Sequence, residues 1–356
     1  MTSSPSYAHR HLLLTNLLKQ HPLESDVHSS YDFPVTRRLL QQKRSIALDV
    51  ILLKKWNGRV DHADQDLFHH VDNLRLSRRD FEIIGRLGDG QFGVVDAVEC
   101  RLNGQIYAIK TMRKHAITRA GPQISLAIER HIHILAHSED GPVPRLIAAF
   151  QGDQTVSLVT TYAACGSLWD RLCFLSEDEE HAGRMSETEI KAWAPQMIAA
   201  IQWVHDQGFV HRDIKPNNFL VTDIGRLLLT DFGSAAALLS NESTDQRRFL
   251  PYNQCLLPVG TPDYIAPEIL MYAEDALVHA SEATDDETAD QRHGYDLSVD
   301  WWSFGATLHE MTLGKGPFWA PSIQQTYNLL IKFQGNIHLP STVSSELREV
   351  MLKYVA

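Results

Sequence analysis

The sequence predicts an α+β fold in two lobes: a small antiparallel sheet, then a larger helical body, with a cleft between them. Three observations carry this. At Phe81 the hydrophobic period changes from helical to alternating, and FEIIGRL (81–87), VVDAVEC (94–100) and IYAIKTM (106–112) read as strands. Asn103-Gly104, between the second and third, is a hairpin signal because both residues tolerate the positive φ of a tight turn. After Gly166 the pattern becomes mostly helical, and strands followed by helices suit an α+β layout.

The elements follow in order. Residues 1–38 mix Ser, His and Pro with a few leucines and are expected to be mobile, apart from a short helix near Leu12 to Leu18. Leu39, Leu40, Ile46, Leu48, Ile51 and Leu52 recur at helical spacing and stop at Asn57-Gly58, which predicts an amphipathic helix. A second short helix is expected over Asp64 to Asn73. Past the three strands, a helix is predicted around Ile124 to Leu135 and strands over Leu146 to Phe150 and Val156 to Thr161. Ser186 and Glu189 form a capping box. It opens a helix through Ile190, Trp193, Met197, Ile201 and Val204, in which Pro195 should kink the helix or remove a hydrogen bond. Glu274 to Gly294, rich in Asp, Glu, Thr and Ala, reads as an exposed insertion.

The chain has 356 residues and a net charge of −11, with 44% hydrophobic and 22% charged residues. That is ordinary globular composition, long enough for a sizeable core. The acidic balance argues against general nucleic-acid or anionic-membrane binding and suits basic protein partners. Cys100, Cys165, Cys173 and Cys255 show no CxxC spacing, so reduced cytosolic thiols are expected. No secretory signal is read at the N-terminus, and no apolar run approaches the roughly 20 residues that span a bilayer. The expectation is a soluble cytoplasmic protein.

Four motifs carry chemistry. GDGQFGVV (88–95) places Gly88, Gly90 and Gly93 where backbone amides can approach phosphate oxygens. Such a motif can open a dinucleotide-binding unit, but a helix should then follow, and here a strand does. YAIK (107–110) puts Lys110 on an apolar strand, where burial needs anionic partners. A phosphate and the helical carboxylate of Glu129 would serve; a snorkelling surface lysine is the plainer alternative. HRDIKPNN (211–218) gathers Asp213, Lys215 and Asn218: a carboxylate to accept a hydroxyl proton, a cation for a transferring phosphoryl group, and an amide oxygen for magnesium. DFG (231–233) adds Asp231, a second hard oxygen ligand. FLV and LLLT between the last two motifs should pair as a hairpin that brings them to one edge.

In this order and spacing, followed by IAPE (265–268) and DWWSFG (300–305), these motifs resemble the protein-kinase signature set. The resemblance covers Phe81 to the C-terminus and implies the bilobal kinase fold, with a small lobe over about 81–161 and a large lobe over about 165–356. DFGS and GTPDYIAPE resemble the AGC group. LDVILLKKW followed by VDNLRLSRRDFEIIGRLG resembles the Rho-associated and myotonic-dystrophy-type kinases. This implies that residues 39–80 form a helical dimerisation element, although packing of that stripe on its own small lobe stays open.

The resemblance also implies a serine/threonine protein kinase using ATP and Mg2+. Leu87, Gly88, Asp89, Gly90, Gln91, Phe92, Gly93 and Val94 would cover the phosphates. Val95, Ala108 and Leu220 would sandwich the adenine, with backbone atoms of Thr161 and Ala163 on its edge. Lys110, oriented by Glu129, would hold the α- and β-phosphates. Asn218 and Asp231 would ligate magnesium. Asp213 would act as base, and Lys215 would stabilise the transferring group. A cytoplasmic, cytoskeleton-associated setting is a further implication.

Several positions depart from the family. Ser167 and Asn217 stand where acidic residues usually read basic substrates, while Glu310 remains, so a weaker preference for upstream arginine is expected. Leu257 stands four residues before Thr261, where many AGC kinases carry an activating phosphothreonine. Activity without activation-segment phosphorylation is therefore expected, even though Ser234, Ser240, Ser243, Thr244 and Thr261 lie nearby. His133 falls where an apolar residue usually packs on Phe232. With His131 and His137 it raises metal binding, but i and i+2 on a helix point apart, so a satisfied or partly exposed histidine is the better reading. Its protonation could tune activity near neutral pH. Finally, the resemblance ends in a late large-lobe helix, before the arginine that pairs with Glu268 in the family. A truncated product, and a weak pseudokinase or dimerising scaffold, is the alternative this raises.

Overall fold

A computed structural model describes residues 12–13, 75–90, 93–121, 124–177, 183–239, 248–281 and 293–355. The expected helices over 39–56 and 64–73, most of the dimerisation element, Gln91, Phe92, Ser240, Ser243 and Thr244 lie outside the described residues. Two units divide the chain. The first includes Ile147–Tyr162 and the residues up to Lys114; the second holds His115–Leu146 and Ala163 onward.

The first unit is a five-stranded sheet. Its strands are β1 (Phe81–Gly90), β2 (Gly93–Cys100), β3 (Ile106–Arg113), β4 (Leu146–Gln151) and β5 (Thr155–Thr161), in the order β1-β2-β3-β5-β4. The pairs β1–β2, β2–β3 and β3–β5 are antiparallel. All five expected strands are present. Register then sorts the side chains, because residues directly opposite share a face and successive residues alternate. Phe81, Val98, Cys100, Ile109 and Val159 fall on one face and form the unit's core. Val95, Lys110 and Leu158 line up across the other face, with Ala97, Ala108 and Thr160 in the next row. The period-2 pattern thus separates a packed face from one carrying the lysine. At the hairpin tip Gly90 pairs with Gly93, and a Cβ on Gly93 would lie 2.3 Å from the Thr111 carbonyl oxygen. Gly93 is therefore required by the neighbouring strand β3, independently of any ligand, whereas Gly88 has open space around it.

At the start of the second unit, α1 (Lys114–Ala120) follows β3 directly, with no capping residue at the junction to signal it. Helix α2 (Leu126–Glu139) starts at Ser125, whose hydroxyl accepts the Ile128 N–H at 3.3 Å. Helices α3 (Leu168–Ser176) and α4 (Glu187–Asp206) follow. The expected capping box opens α4: Ser186 and Glu189 bond each other's amides. The helix runs unbroken through Pro195, which is exposed, so the Lys191 carbonyl that loses its partner faces water.

Short strands β6 (Phe209–Val210), β7 (Phe219–Val221), β8 (Leu227–Leu229), β9 (Ala236–Ala237) and β10 (Phe249–Pro251) come next. Helix α5 (Pro267–Ser281) corrects the expected insertion: its first eight residues, from Glu274, are helical, and Ala, Glu and Leu there are good helix formers. The insertion's far end belongs to β11 (His293–Asp296), which pairs with β10. Helices α6 (Ser298–Leu313), α7 (Ile323–Ile331) and α8 (Ser345–Tyr354) complete the unit.

Helix α6 is buried on nearly every side, from Val299 to Met311. An all-round buried helix is the centre of its unit. Around it Val210, Leu250, Ile265, Ile269, Tyr295, Trp302, Phe318 and Val355 form one core. Gly305 brings α8 flush: a Cβ there would lie 2.4 Å from Val355 Cγ2.

Candidate active site

The sheet face of the first unit presents Val95, Ala108 and Lys110 on adjacent strands, all partly buried. Leu87, Asp89 and Gly90 are exposed on β1, while Gly88, Gly93 and Val94 are partly buried; Gln91 and Phe92 at the tip are outside the described residues. Thr161 ends β5 opposite Tyr107.

In the second unit, Asp213 is the hub. Lys215 Nζ donates to Asp213 Oδ2 and to Thr261 Oγ1, each at 2.7 Å. Thr261 donates to Asp213 Oδ1 from its amide at 2.9 Å and from its hydroxyl at 2.7 Å. Asn218 Nδ2 donates to the Asp213 carbonyl at 2.7 Å and to its carboxylate Oδ2 at 3.3 Å. The carboxylate is thus aimed by a cation and three further donors, and the arrangement is that of a positioned base. Thr261, which the sequence places only as a hydroxyl residue near the usual phosphoacceptor position, is one of its holders.

The expected hairpin is present. Phe219 pairs with Leu229 in β7–β8, and the Thr230 N–H donates to the Asn218 carbonyl at 2.9 Å, which sets Asp231 beside Asn218. Asp231 takes a left-handed φ of 62°, and Phe232 behind it is fully buried. With its amide nitrogen on Asp213, Asn218 keeps its side-chain oxygen for another partner. Among the described residues no group of three or more His, Cys, Asp or Glu could hold a metal ion. Magnesium needs no such cage: one or two protein oxygens with substrate phosphates and waters suffice, and Asn218 with Asp231 is a donor set of that kind.

A fully buried carboxylate supports this loop from α6. Asp300, 0% exposed at the start of α6, accepts the His211 N–H at 2.8 Å and the Arg212 N–H at 2.7 Å, and its Oδ2 lies 2.8 Å from His205 Nε2. Burial alone would raise this carboxyl, but the His205 and His211 hydrogen bonds outweigh it and hold it below the usual aspartate range. The carboxylate steadies Arg212 in a left-handed conformation, φ 66°, costly for a residue with a side chain. DWWSFG was the signal: an aspartate in an otherwise buried helix needs partners.

Glu129 is buried on α2 (2% exposed). One turn on, His133 is buried too, with Nδ1 2.7 Å from the Pro144 carbonyl and its ring edge-on to Phe232 at 5.5 Å. That is the satisfied histidine expected. His211 also meets Phe232, at 4.9 Å. His131 packs against Phe209 and is held down to about 4 by burial and by Arg130 beside it, so it stays neutral at physiological pH. Leu220 pairs with Leu228 and bridges to Ser167, while Ala163 is buried. Ser167 caps α3 in a box with Asp170, so at this position its hydroxyl serves the helix.

The Glu310 carboxylate accepts the Tyr264 hydroxyl and is raised by burial and by Asp263 nearby. Glu268 accepts the Ser298 hydroxyl at 3.2 Å and is raised chiefly by burial.

A positioned carboxylate with lysine and threonine beside a paired oxygen donor set in the second unit, and a lysine-bearing sheet face in the first, are each the kind of part that phosphoryl transfer uses. The chain belongs to the protein kinase domain family, whose profile matches residues 81–355. Its relatives include Citron Rho-interacting kinase of Mus musculus, 35% identical over 288 residues covering 80% of this chain and 12% of that protein. Serine/threonine-protein kinase MRCK gamma of Homo sapiens is 34% identical over 273 residues, 77% of this chain and 16% of that protein. Serine/threonine-protein kinase mrck-1 of Caenorhabditis elegans is 32% identical over 287 residues, 79% and 16% respectively. These are AGC-group kinases of the myotonic-dystrophy type, as the motifs implied. The chain spans about an eighth to a sixth of the length of these relatives. No helix among the described residues is long and apolar enough to cross a membrane.

Proposed function

We propose that this chain is an ATP-dependent serine/threonine protein kinase. The observation that carries the reading is the Asp213 carboxylate held by Lys215 and Thr261. Asp213 takes the proton from a substrate Ser or Thr hydroxyl as its oxygen attacks the γ-phosphorus, and ADP leaves. Lys215 offsets charge on the transferring group. By the family likeness Lys110 and Glu129 are assigned to the α- and β-phosphates, as are the motif residues from Leu87 to Val94, Gln91 and Phe92 among them. Val95, Ala108 and Leu220 flank the adenine, with backbone atoms of Thr161 and Ala163 at its edge. Asn218 and Asp231 would hold Mg2+, which when bound supplies charge neutralisation at the phosphates.

The finer assignments belong to the same reading. Loss of acidity at Ser167 and Asn217 weakens selection for upstream arginine. Leu257, 54% exposed at the usual phosphoacceptor position, supports turnover without activation-segment phosphorylation. Residues 39–80 serve homodimerisation, and the setting is cytoplasmic.

The test is transfer from ATP–Mg2+ to a mixed basic Ser/Thr peptide library, with Asp213→Asn as control. Loss of a positioned base lowers turnover by about 10²–10⁴-fold. Equal transfer by Asp213→Asn, or none by folded wild-type chain, refutes the reading.

A further inference from the structure

The activation segment is fastened at both ends. Near its start β9 pairs with β6, and near its end β10 pairs with β11. Besides the Thr261 contacts of Asp213 and Lys215, Arg212 reaches across to it from the catalytic loop. Arg212, 2% exposed, donates from Nε to the Ser234 carbonyl at 2.6 Å and from Nη1 to the Gln254 carbonyl at 2.8 Å and the Tyr295 hydroxyl at 3.3 Å. These acceptors are all neutral.

Tyr295 extends the connection. It sits on β11, 3% exposed, beside the Cys255 thiol, which packs against Gly294 next to it in the chain. Cys255 is fully buried, and its sulfur lies 3.6 Å from the Pro251 carbonyl of β10. A buried run therefore leads from Arg212 through Tyr295 and Cys255 to Pro251, linking the catalytic loop to the segment in three steps. The fit is close enough to dictate the residue before Tyr295: a Cβ on Gly294 would lie 2.3 Å from Cys255 Sγ and 3.0 Å from the Leu250 carbonyl.

Burial pushes the Tyr295 phenol up to about 12 and raises the Cys255 thiol, so both stay protonated at physiological pH. A protonated phenol can accept from the guanidinium and donate to sulfur at once.

We infer that Tyr295 is a positioning residue for phosphoryl transfer: with Cys255 it forms an uncharged latch that holds Arg212 and the activation segment in their working arrangement. The inference rests on the kinase reading for its catalytic consequence, while its structural half stands apart from that reading. Tyr295 touches no reacting atom; it acts through Arg212, whose neighbour in the chain is Asp213.

Three variants test it in the full chain. Tyr295→Phe keeps the ring and removes the hydroxyl. Losing a hydrogen bond to a buried charged group should lower kcat about tenfold, with KM for ATP unchanged. Cys255→Ala should lower kcat less. The double variant should be no slower than Tyr295→Phe, because both changes break one chain. Hydrogen exchange of amides 249–259 should quicken about tenfold in Tyr295→Phe, a readout that needs no catalysis. A wild-type chain with no transfer refutes the kinase reading alone, since exchange still reports on the latch. Wild-type exchange in Tyr295→Phe, an unchanged kcat in an active chain, or single effects that multiply in the double variant overturns the latch.

Discussion

Replacing Asp300 by Asn should both destabilise the fold and slow catalysis. The carboxylate serves two consecutive backbone amides and His205 at 2.7–2.8 Å, at a position with no access to water. Asparagine has nearly the same shape, but one oxygen becomes an NH2 that must face a donor. At least one hydrogen bond to a charged acceptor is lost, worth about 1.5–3 kcal/mol, and a buried donor is left without a partner. We expect a loss of about 2–4 kcal/mol, which at about 2–4 °C per kcal/mol lowers Tm by roughly 4–16 °C. Because its partners hold this carboxyl below the ordinary value of 3.8, its contribution is present above that pH. It is lost as pH falls through the lowered folded value, so the gap between wild type and variant should narrow in acid. Thermal melts from pH 3.5 to 7.5, with kcat measured below the variant's melting range, give both quantities. A variant melting within about 1 °C of wild type would sink the idea that Asp300 anchors the catalytic loop.

Other expectations follow from single contacts. Gly93→Ala forces a Cβ against the Thr111 carbonyl; we expect a cost of about 1–3 kcal/mol and a raised KM for ATP, read by denaturant melts and initial rates. Gly305→Ala should loosen α8 and speed amide exchange in 345–354. Burial holds Glu310 above the ordinary value of 4.5, so its ionisation costs stability as pH rises through the raised value. Glu310→Gln should therefore gain Tm relative to wild type between pH 5 and 8, and a difference that does not change with pH contradicts the assignment. Sedimentation of the chain with and without residues 1–75 checks dimerisation: equal mass states would exclude that segment as the cause.

The sheet was legible because its strands are short runs rich in β-branched and aromatic residues between turn signals, and because Asn103-Gly104 fixes one hairpin. The catalytic set was legible for a different reason: proton transfer, phosphate binding and metal ligation each demand a residue type, and the spacings leave few folds that satisfy all three. What stayed hidden depended on distant partners. Asp300 stands 87 residues from Asp213, and nothing local tells that its carboxylate points at the amides of 211 and 212. Tyr295 and Cys255 belong to no motif, and their role exists only once β10 and β11 pair. Helix α5 runs past Glu274 into a stretch whose acidic composition reads as a loop, because its outer face, with Glu274 and Asp275 exposed, is simply solvated. Gly93 was read for phosphate approach, while its first constraint is the carbonyl of β3.

The tie from α6 to the catalytic loop also bears on how the enzyme would wear out. The amides of His211 and Arg212 end on a carboxylate in the most deeply buried helix, so they should exchange with deuterium only when the whole unit opens. The loop then has no private melting transition. Heating should erase turnover and tertiary structure at one temperature, leaving no window in which a folded chain has a slack active site.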